Sequence, residues 1–144
     1  MDKTVLSYIA AFVDGEGTIG IRKYPQRKAC HTVEYAAHIT ITNTNKAVLE
    51  WIKEQLGFGC IVKRPDKRPN HRMCYQWTVT YNQAVKTLEL ILPYLQIKKT
   101  HAELALQCEA IRHMERSRRG KPKPSYVVDK QLALKEAIRI LNAA

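Results

Sequence analysis

The stretch 5–17 constrains the fold of this chain more than any other part of the sequence. An apolar run, 5–13, ends there in two acids, Asp14 and Glu16, each followed by a glycine. Apolar residues recur in the run at helical spacing, which predicts a buried helix that begins at residues 2 to 4 and ends at about Asp14. A helix C-terminus carries partial negative charge, so acids there stand against the helix dipole. This placement indicates a cation close to the two carboxylates.

Three glycines of the same stretch also spell a nucleotide-binding fingerprint, G-x-G-x-x-G, at Gly15, Gly17 and Gly20. In dinucleotide-binding proteins a strand precedes these glycines and a helix follows them. Here the helical pattern comes first and a β-rich run, 18–24, comes second, which disfavours that function. A kinase glycine loop is disfavoured because the chain has no D-F-G or H-R-D motif and only 144 residues. A buried helix that simply ends at glycine remains as the structural alternative.

The rest of the chain predicts an α+β fold in a single domain. Strict alternation of apolar and polar residues predicts strands at 18–24, 32–43, 60–64 and 72–80, and helical spacing predicts helices at 46–56, 82–92, 100–116 and 129–142. The order is αββαββα with extra C-terminal helices, for which a four-stranded antiparallel sheet with helices on one face is the expected arrangement. We expect 1–116 to form the core and 117–144 to add a basic connector and a last helix to the same domain. The proline-rich connector, 116–124, is expected not to be helical.

The charge balance favours a polyanionic partner. With 24 basic and 13 acidic residues the chain carries a formal charge of +11, which is typical of nucleic-acid-binding proteins. A basic structural protein with a solvated surface is the plain alternative. The four cysteines form no C-x-x-C pair, so we expect free thiols in a reducing, intracellular compartment, either the cytoplasm or an organelle. No apolar run is long enough to span a membrane, so no membrane partner is expected.

The polar faces of the predicted strands form a candidate DNA-binding surface. A twisted β-ribbon fits the major groove, where Arg suits guanine, Gln suits adenine and Glu suits cytosine. Basic loops beside the strands would meet phosphates. The candidate DNA-binding residues are Thr18, Arg22, Tyr24, Arg27, Lys28, Glu34, His38, Thr40, Thr42, Arg64, Arg68, Arg72, Gln76 and Thr78.

Small residues on the first helix form a candidate dimer surface. Ala11 and Gly15 are four residues apart, a spacing that lets a second helix approach closely. Together with Ala10 and Asp14 they make up the predicted dimer helix. Two copies joined in this way would bring two acids together at the centre of a duplex.

The segment Ile9-Ala-Ala-Phe-Val-Asp-Gly-Glu-Gly17 resembles the nine-residue motif of the LAGLIDADG homing endonucleases. The αββαββα order resembles the core of that family over roughly residues 4–116. Since the chain has one copy of the motif, the resemblance implies a homodimer that cleaves double-stranded DNA at a long pseudo-palindromic site, as in intron homing. It also implies phosphodiester hydrolysis that depends on Mg²⁺, for which Mn²⁺ or Ca²⁺ could substitute in binding.

The same resemblance implies roles for individual residues. Glu16 matches the acid that binds the metal, and Gly15 matches the position whose backbone carbonyl often helps to bind it. Asn43 falls where the family has a polar residue near the attacking water, and Lys98 matches the basic residue near the scissile phosphate. Lys46 is a candidate for a second basic residue of this kind, and its alignment with the family requires a gap.

The sequence departs from the family motif at two positions. Glu16 replaces the usual Asp and is one methylene longer, and Ala11 replaces the usual Gly, which would hold the paired helices farther apart. A catalytically silent nucleic-acid-binding protein is therefore the alternative function. It would be either an RNA maturase that assists splicing of an intron RNA or a transcription factor.

Overall fold

The computed structural model describes residues 1–24, 33–64, 68, 70, 72–114 and 124–143. The predicted α+β class and element order are confirmed. The elements are α1 (Lys3–Glu16), β1 (Gly17–Tyr24), β2 (Glu34–Asn43), α2 (Lys46–Leu56), β3 (Cys60–Arg64), β4 (Cys74–Thr80), α3 (Tyr81–Ile91), a 3₁₀ turn (Leu92–Tyr94), α4 (Lys99–Met114) and α5 (Ser125–Ala143).

The four strands form one antiparallel sheet in the order β1-β2-β4-β3. Strand β2 is central and pairs with β1 over its first eight residues, from Tyr24↔Glu34 to Gly17↔Ile41. Its pairing with β4 begins only at His38, opposite the last residue of β4. The segment 34–37 of β2 therefore extends past the end of β4.

Alternation of side chains separates a covered face of the sheet from an open face. On β2 and β4, residues such as Ile39, Ile41 and Trp77 are fully buried in a core that also contains apolar residues of the helices α1 to α4. A second cluster, around Tyr35 and Ile138, packs α4 and α5 over the other end of the sheet. The side chains that alternate with these residues lie on the open face, which carries most of the predicted DNA contacts.

The first helix is longer than predicted. It begins at the Asp2 cap, as expected, but continues through Gly15 to Glu16 instead of ending at Asp14. The Gly17 N–H donates to the Val13 carbonyl, and a β-carbon at Gly17 would lie 2.8 Å from that oxygen. Glycine thus lets the chain pass directly from the helix into β1.

Other boundaries differ from the predictions by one to four residues. Helix α3 begins at Tyr81 instead of 82, and β4 begins at Cys74 instead of 72. Helix α5 begins at Ser125, four residues earlier than predicted, directly after the proline that ends the basic connector. Most of that connector lies outside the described residues, as do Arg27 and Lys28. Among the described helices none is long and apolar enough to cross a membrane.

Candidate active site and nucleic-acid interface

The C-terminal end of α1 presents one exposed carboxylate. Glu16 is the last residue of the helix and is exposed, and within the described part of the chain its carboxylate makes no hydrogen bond or ion pair. Gly15 is exposed beside it, with no atom within 4 Å of where a β-carbon would stand. Backbone carbonyls in the last turn of a helix lack intrahelical partners. The helix end therefore offers a carboxylate and a carbonyl to a ligand.

Asp14, two residues earlier, is bound within its own chain. Its carboxylate accepts N–H bonds from three successive residues, Gln96 (2.8 Å), Ile97 (3.3 Å) and Lys98 (3.0 Å). Asp14 is predicted to belong to the dimer surface, and the structure directs both of its oxygens to the 96–98 loop of its own chain.

The structure brings Lys98 to the end of α1. Its ammonium donates to the carbonyls of Val13 (3.1 Å) and Asp14 (2.7 Å). No basic residue lies in the last turn of α1 itself, so Lys98 supplies the positive charge that favours a helix C-terminus.

Asn43 is the last residue of β2 and lies at the end of the sheet where α1 joins β1. Gly17, which follows α1, pairs with Ile41, and Asn43 is two residues further along β2. The Asn43 side-chain oxygen accepts the Asn45 N–H (2.8 Å), and Asn45 caps α2. This turn fixes Asn43 close to where α1 ends.

Lys46 is placed differently. It is exposed in the first turn of α2, 3.3 Å from the Glu50 carboxylate and 5.7 Å from the centre of the Tyr75 ring. No contact within the described part of the chain links it to α1. The described contacts of Lys46 are thus with Glu50 and Tyr75, and its catalytic role stays a prediction.

The exposed side of α1 is built from small and aromatic residues. Ala11 and Gly15 are exposed, and Tyr8 is 50% exposed, with its ring edge-on to Trp51 at 5.2 Å. Ala10 was predicted to share this side, but it is fully buried in the core of its own chain. Its position in the helix, next to Ile9, turns it to the sheet, so its assignment to the dimer surface is wrong.

The middle of the open face is a row of short side chains. Thr18, Thr40 and Thr78 are neighbours across three strands, and Cys60 continues the row on β3. Longer side chains lie on both sides of this row. The exposed predicted DNA contacts among the described residues are Thr18, Arg22, Thr42, Arg64, Arg68 and Arg72.

Several other predicted DNA contacts are engaged within the protein. Gln76 is buried and accepts a hydrogen bond from Arg64, so the two side chains act as one unit. Tyr24 stacks on Tyr81 at 5.2 Å. Glu34 lies 3.8 Å from the Arg112 guanidinium. These contacts limit how freely the three residues can turn towards a base.

His38 lies flat against the sheet beside Gly20. The two residues are cross-strand partners, and a β-carbon at position 20 would come within 2.8 Å of the imidazole. Burial, reinforced by the charge of Arg22, lowers the pKa of His38 from 6.5 to about 4. The imidazole is therefore neutral near pH 7.

The buried charged cluster in α4 was not predicted from the sequence. Glu109 is 1% exposed, accepts the Ala37 N–H (2.8 Å) and pairs with Arg112 (2.8 Å). Ala37 lies where β2 extends past the end of β4, so the Glu109 carboxylate supplies the hydrogen-bond acceptor that a neighbouring strand would otherwise provide. The only signal in the sequence is an acid and a base three residues apart on a helix.

A single chain offers few ligands for a metal. Among the described residues no group of three or more His, Cys, Asp and Glu side chains is placed to hold an ion. Mg²⁺, however, commonly takes one or two carboxylates and keeps several waters. The unengaged Glu16 carboxylate and the Gly15 carbonyl fit that preference, provided that a second ligand set comes from elsewhere.

Comparison with known proteins gives concordant results. Residues 9–110 match the family model described as LAGLIDADG endonuclease. The DNA endonuclease I-CvuI of Chlorella vulgaris is 30% identical over 110 residues, which are 74% of this chain and 64% of that protein. The matched region thus spans slightly less than two thirds of that relative's length.

Solved structures show the same fold. A crystal structure of I-CvuI in complex with the I-CreI target in the presence of Mg has a TM-score of 0.79 at 24% identity, covering 96% of this chain and 82% of that one. The archaeal intron-encoded homing endonuclease I-Vdi141I in complex with DNA has a TM-score of 0.58 at 22% identity, covering 97% and 99%.

Proposed function

The chain belongs to the LAGLIDADG endonuclease family, and from this premise we propose that it is a site-specific endonuclease that cleaves double-stranded DNA as a metal-dependent homodimer. The observation that carries the proposal is the end of α1. There Glu16, an exposed carboxylate with no partner among the described residues, lies two residues from the backbone that holds the Lys98 ammonium. A carboxylate that can hold a divalent ion and an ammonium that can stabilise phosphate charge suit phosphodiester hydrolysis.

The open face of the sheet binds the duplex in this proposal. The formal charge of +11 supports attraction to phosphates, and the exposed Arg22 and Arg64 can donate to base edges or to phosphates. I-CvuI and I-Vdi141I have both been crystallised in complex with DNA, which supports the same substrate here.

Two copies of the chain complete the site. One copy has a single motif and one unengaged acid at the helix end, and the exposed Ala11 and Gly15 allow a second α1 to pack closely. Two-fold symmetry would place both Glu16 carboxylates between the two sheets and would make the DNA site pseudo-palindromic. The protein would thus recognise a long site, as expected for intron homing.

Glu16 and the Gly15 carbonyl would hold the divalent ion. When bound, such an ion stabilises the charge that develops on the attacking and leaving oxygens. Lys98 would stabilise charge on the scissile phosphate, and Asn43 would orient water near it. Crystals of I-CvuI with DNA were obtained in the presence of Mg, where the DNA was not cleaved, and of Ca, which supports a divalent metal ion as the cofactor.

The thiols agree with a reducing intracellular location. Among the described residues, Cys60 and Cys74 have free thiols. Free thiols are usual in compartments that keep proteins reduced.

The experiment is selection of cleaved sites from a random duplex library with Mg²⁺, followed by the Glu16→Gln variant on the selected site. We expect a pseudo-palindromic site, and we expect Glu16→Gln to lose about 10³-fold or more in cleavage rate while DNA affinity in Ca²⁺ stays within about threefold. Glu103→Gln, which removes an exposed carboxylate from α4, is the matched control and should cleave normally.

Two outcomes would reject parts of the proposal. Equal losses of binding and cleavage in Glu16→Gln would reject its metal role, and a monomeric mass near 16.6 kDa at working concentration would reject the homodimer. Tight binding without any cleavage by the wild-type protein would favour the silent alternative, an RNA maturase or a transcription factor.

A further inference from the structure

We propose that Asp14, rather than packing the dimer, positions the Lys98 ammonium for its task at the scissile phosphate. This inference rests on the proposed function. The two residues form a crossed clamp, in which each side chain binds the backbone of the other residue's segment. The Asp14 carboxylate holds three N–H groups of 96–98, and the Lys98 ammonium holds two carbonyls of α1.

The clamp provides the main contacts that hold the 96–98 loop in place. Leu95 is buried and anchored by its N–H to the Ile91 carbonyl (3.1 Å), but Gln96 is exposed and Ile97 is 72% exposed. Neither of these two side chains packs into the core, so their backbone is held by Asp14 instead. Lys98 is then fixed on its other side by α4, since the Ala102 N–H donates to its carbonyl (3.0 Å).

The geometry leaves Lys98 able to act. A lysine ammonium has three donors, and two of them are used by the carbonyls of Val13 and Asp14. Because carbonyls and not a carboxylate accept these bonds, the charge of Lys98 is not neutralised by an ion pair. One donor and a full positive charge thus remain for a phosphate oxygen, next to the helix end that carries Glu16.

The division of labour between the two acids follows from the same contacts. Asp14 has both oxygens engaged and is half-buried, whereas Glu16 is exposed and unengaged. Asp14 therefore acts through Lys98 and is a positioning residue, while Glu16 faces the ligand. Asp14→Asn replaces one of the two acceptor oxygens by an NH₂ donor, which weakens the clamp without changing the size of the side chain.

The test is a double-mutant cycle on single-turnover cleavage of the selected site, with Asp14→Asn, Lys98→Met and the double variant. We expect Asp14→Asn to lose about 10- to 100-fold in the cleavage rate at saturating protein, because small displacements of a positioned group have effects of that size. DNA affinity in Ca²⁺ should stay within about threefold. In the Lys98→Met background, Asp14→Asn should cause less than about a twofold further loss.

A labelling experiment gives a readout that does not depend on cleavage. Acylation of lysines by acetic anhydride, followed by mass spectrometry, compares Lys98 with the exposed Lys99 next to it. We expect the Lys98/Lys99 ratio to rise roughly fivefold in Asp14→Asn, the factor expected from one lost hydrogen bond. Asp129→Asn, which removes an exposed carboxylate from α5, should leave both the ratio and the cleavage rate unchanged.

The outcomes separate this inference from the proposed function. If the wild-type protein cleaves no DNA, the proposed function fails, and the labelling ratio still decides whether Asp14 holds Lys98. An unchanged ratio in Asp14→Asn, or an undiminished loss of rate in the Lys98→Met background, would overturn the positioning role. If Asp14→Asn does not fold, Asp14→Glu keeps the charge and lengthens the arm, and the same ratio is measured there with the same expected direction.

Discussion

The two ends of the central strand β2 both carry charged side chains, but they use them in opposite ways. At its N-terminal end, Arg112 of α4 pairs with two carboxylates, Glu34 and Glu109. At its C-terminal end, near Asn43, the acid Glu16 has no partner in the described part of the chain. The first end contributes to the fold, and the second is left able to bind a ligand.

The difference follows from what each end must satisfy. Where β2 extends past β4, the Ala37 N–H would be buried without an acceptor, and Glu109 supplies one. A buried carboxylate in turn requires a cation, which Arg112 provides, with its guanidinium also lying 5.0 Å from the centre of the Tyr81 ring. At the other end Asp14 and Lys98 satisfy backbone groups, and only Glu16 is left over.

The largest expected effect is on folding, at the buried end. Glu109→Ala should lower the free energy of unfolding by about 3 to 5 kcal/mol, because it leaves Arg112 buried without its partner and the Ala37 N–H without its acceptor. Glu16→Ala should change it by no more than about 0.5 kcal/mol, as expected for an exposed side chain without contacts. Urea unfolding followed by circular dichroism measures both. If the two variants lose similar amounts of unfolding free energy, the two ends of β2 do not differ in the way described.

The middle of β2 predicts a dependence of stability on pH. Burial lowers the pKa of His38 to about 4 in the folded protein, against 6.5 when the chain is unfolded. The unfolded state therefore binds the proton more tightly, and the free energy of unfolding falls as the pH drops from about 6.5 to 4. The loss from this group should be on the order of 2 to 3 kcal/mol.

His38→Gln is the matched variant for this pH effect. It removes the titrating group, so the slope of stability against pH between 4 and 6.5 should become shallower than in the wild-type protein. The imidazole C2 proton, followed by NMR, should titrate near pH 4. A midpoint close to 6.5 would show that the ring is not held in the sheet as described.

Local patterns predicted the fold well, whereas contacts between distant segments could not be predicted. The alternation along 33–43 reports a strand directly, because its period is visible in consecutive residues. The partners of Asp14 lie 82 to 84 residues away and are backbone groups, which have no signature in a sequence. Glu109 bonds to a residue 72 positions away for the same reason.

The placement of Ala10 was predictable and was missed. It lies on the helical stripe with Leu6 and Val13, whose spacing predicts the buried side of the helix, and the structure buries all three. The grouping of Glu16, Asn43 and Lys98, in contrast, came from the family resemblance, since nothing in their spacing brings them together. The structure places Lys98 at the helix end and Asn43 at the adjoining edge of the sheet, while the roles of all three stay predictions.

The smallest expected effect concerns a polar group that departs from the pattern of the buried end. Gln131 of α5 is fully buried, and within the described part of the chain neither its side-chain oxygen nor its nitrogen has a hydrogen-bond partner. Unlike Glu109 it satisfies no described backbone group, and unlike Glu16 it is closed to any ligand.

Gln131→Met, which keeps the shape and removes the unpaired groups, should therefore raise the free energy of unfolding by about 1 kcal/mol and leave DNA cleavage unchanged. Urea unfolding checks the gain, with Gln107→Met on the exposed side of α4 as control. A loss of stability instead would mean that Gln131 has a partner in the folded protein, and that the buried end leaves no polar group unsatisfied.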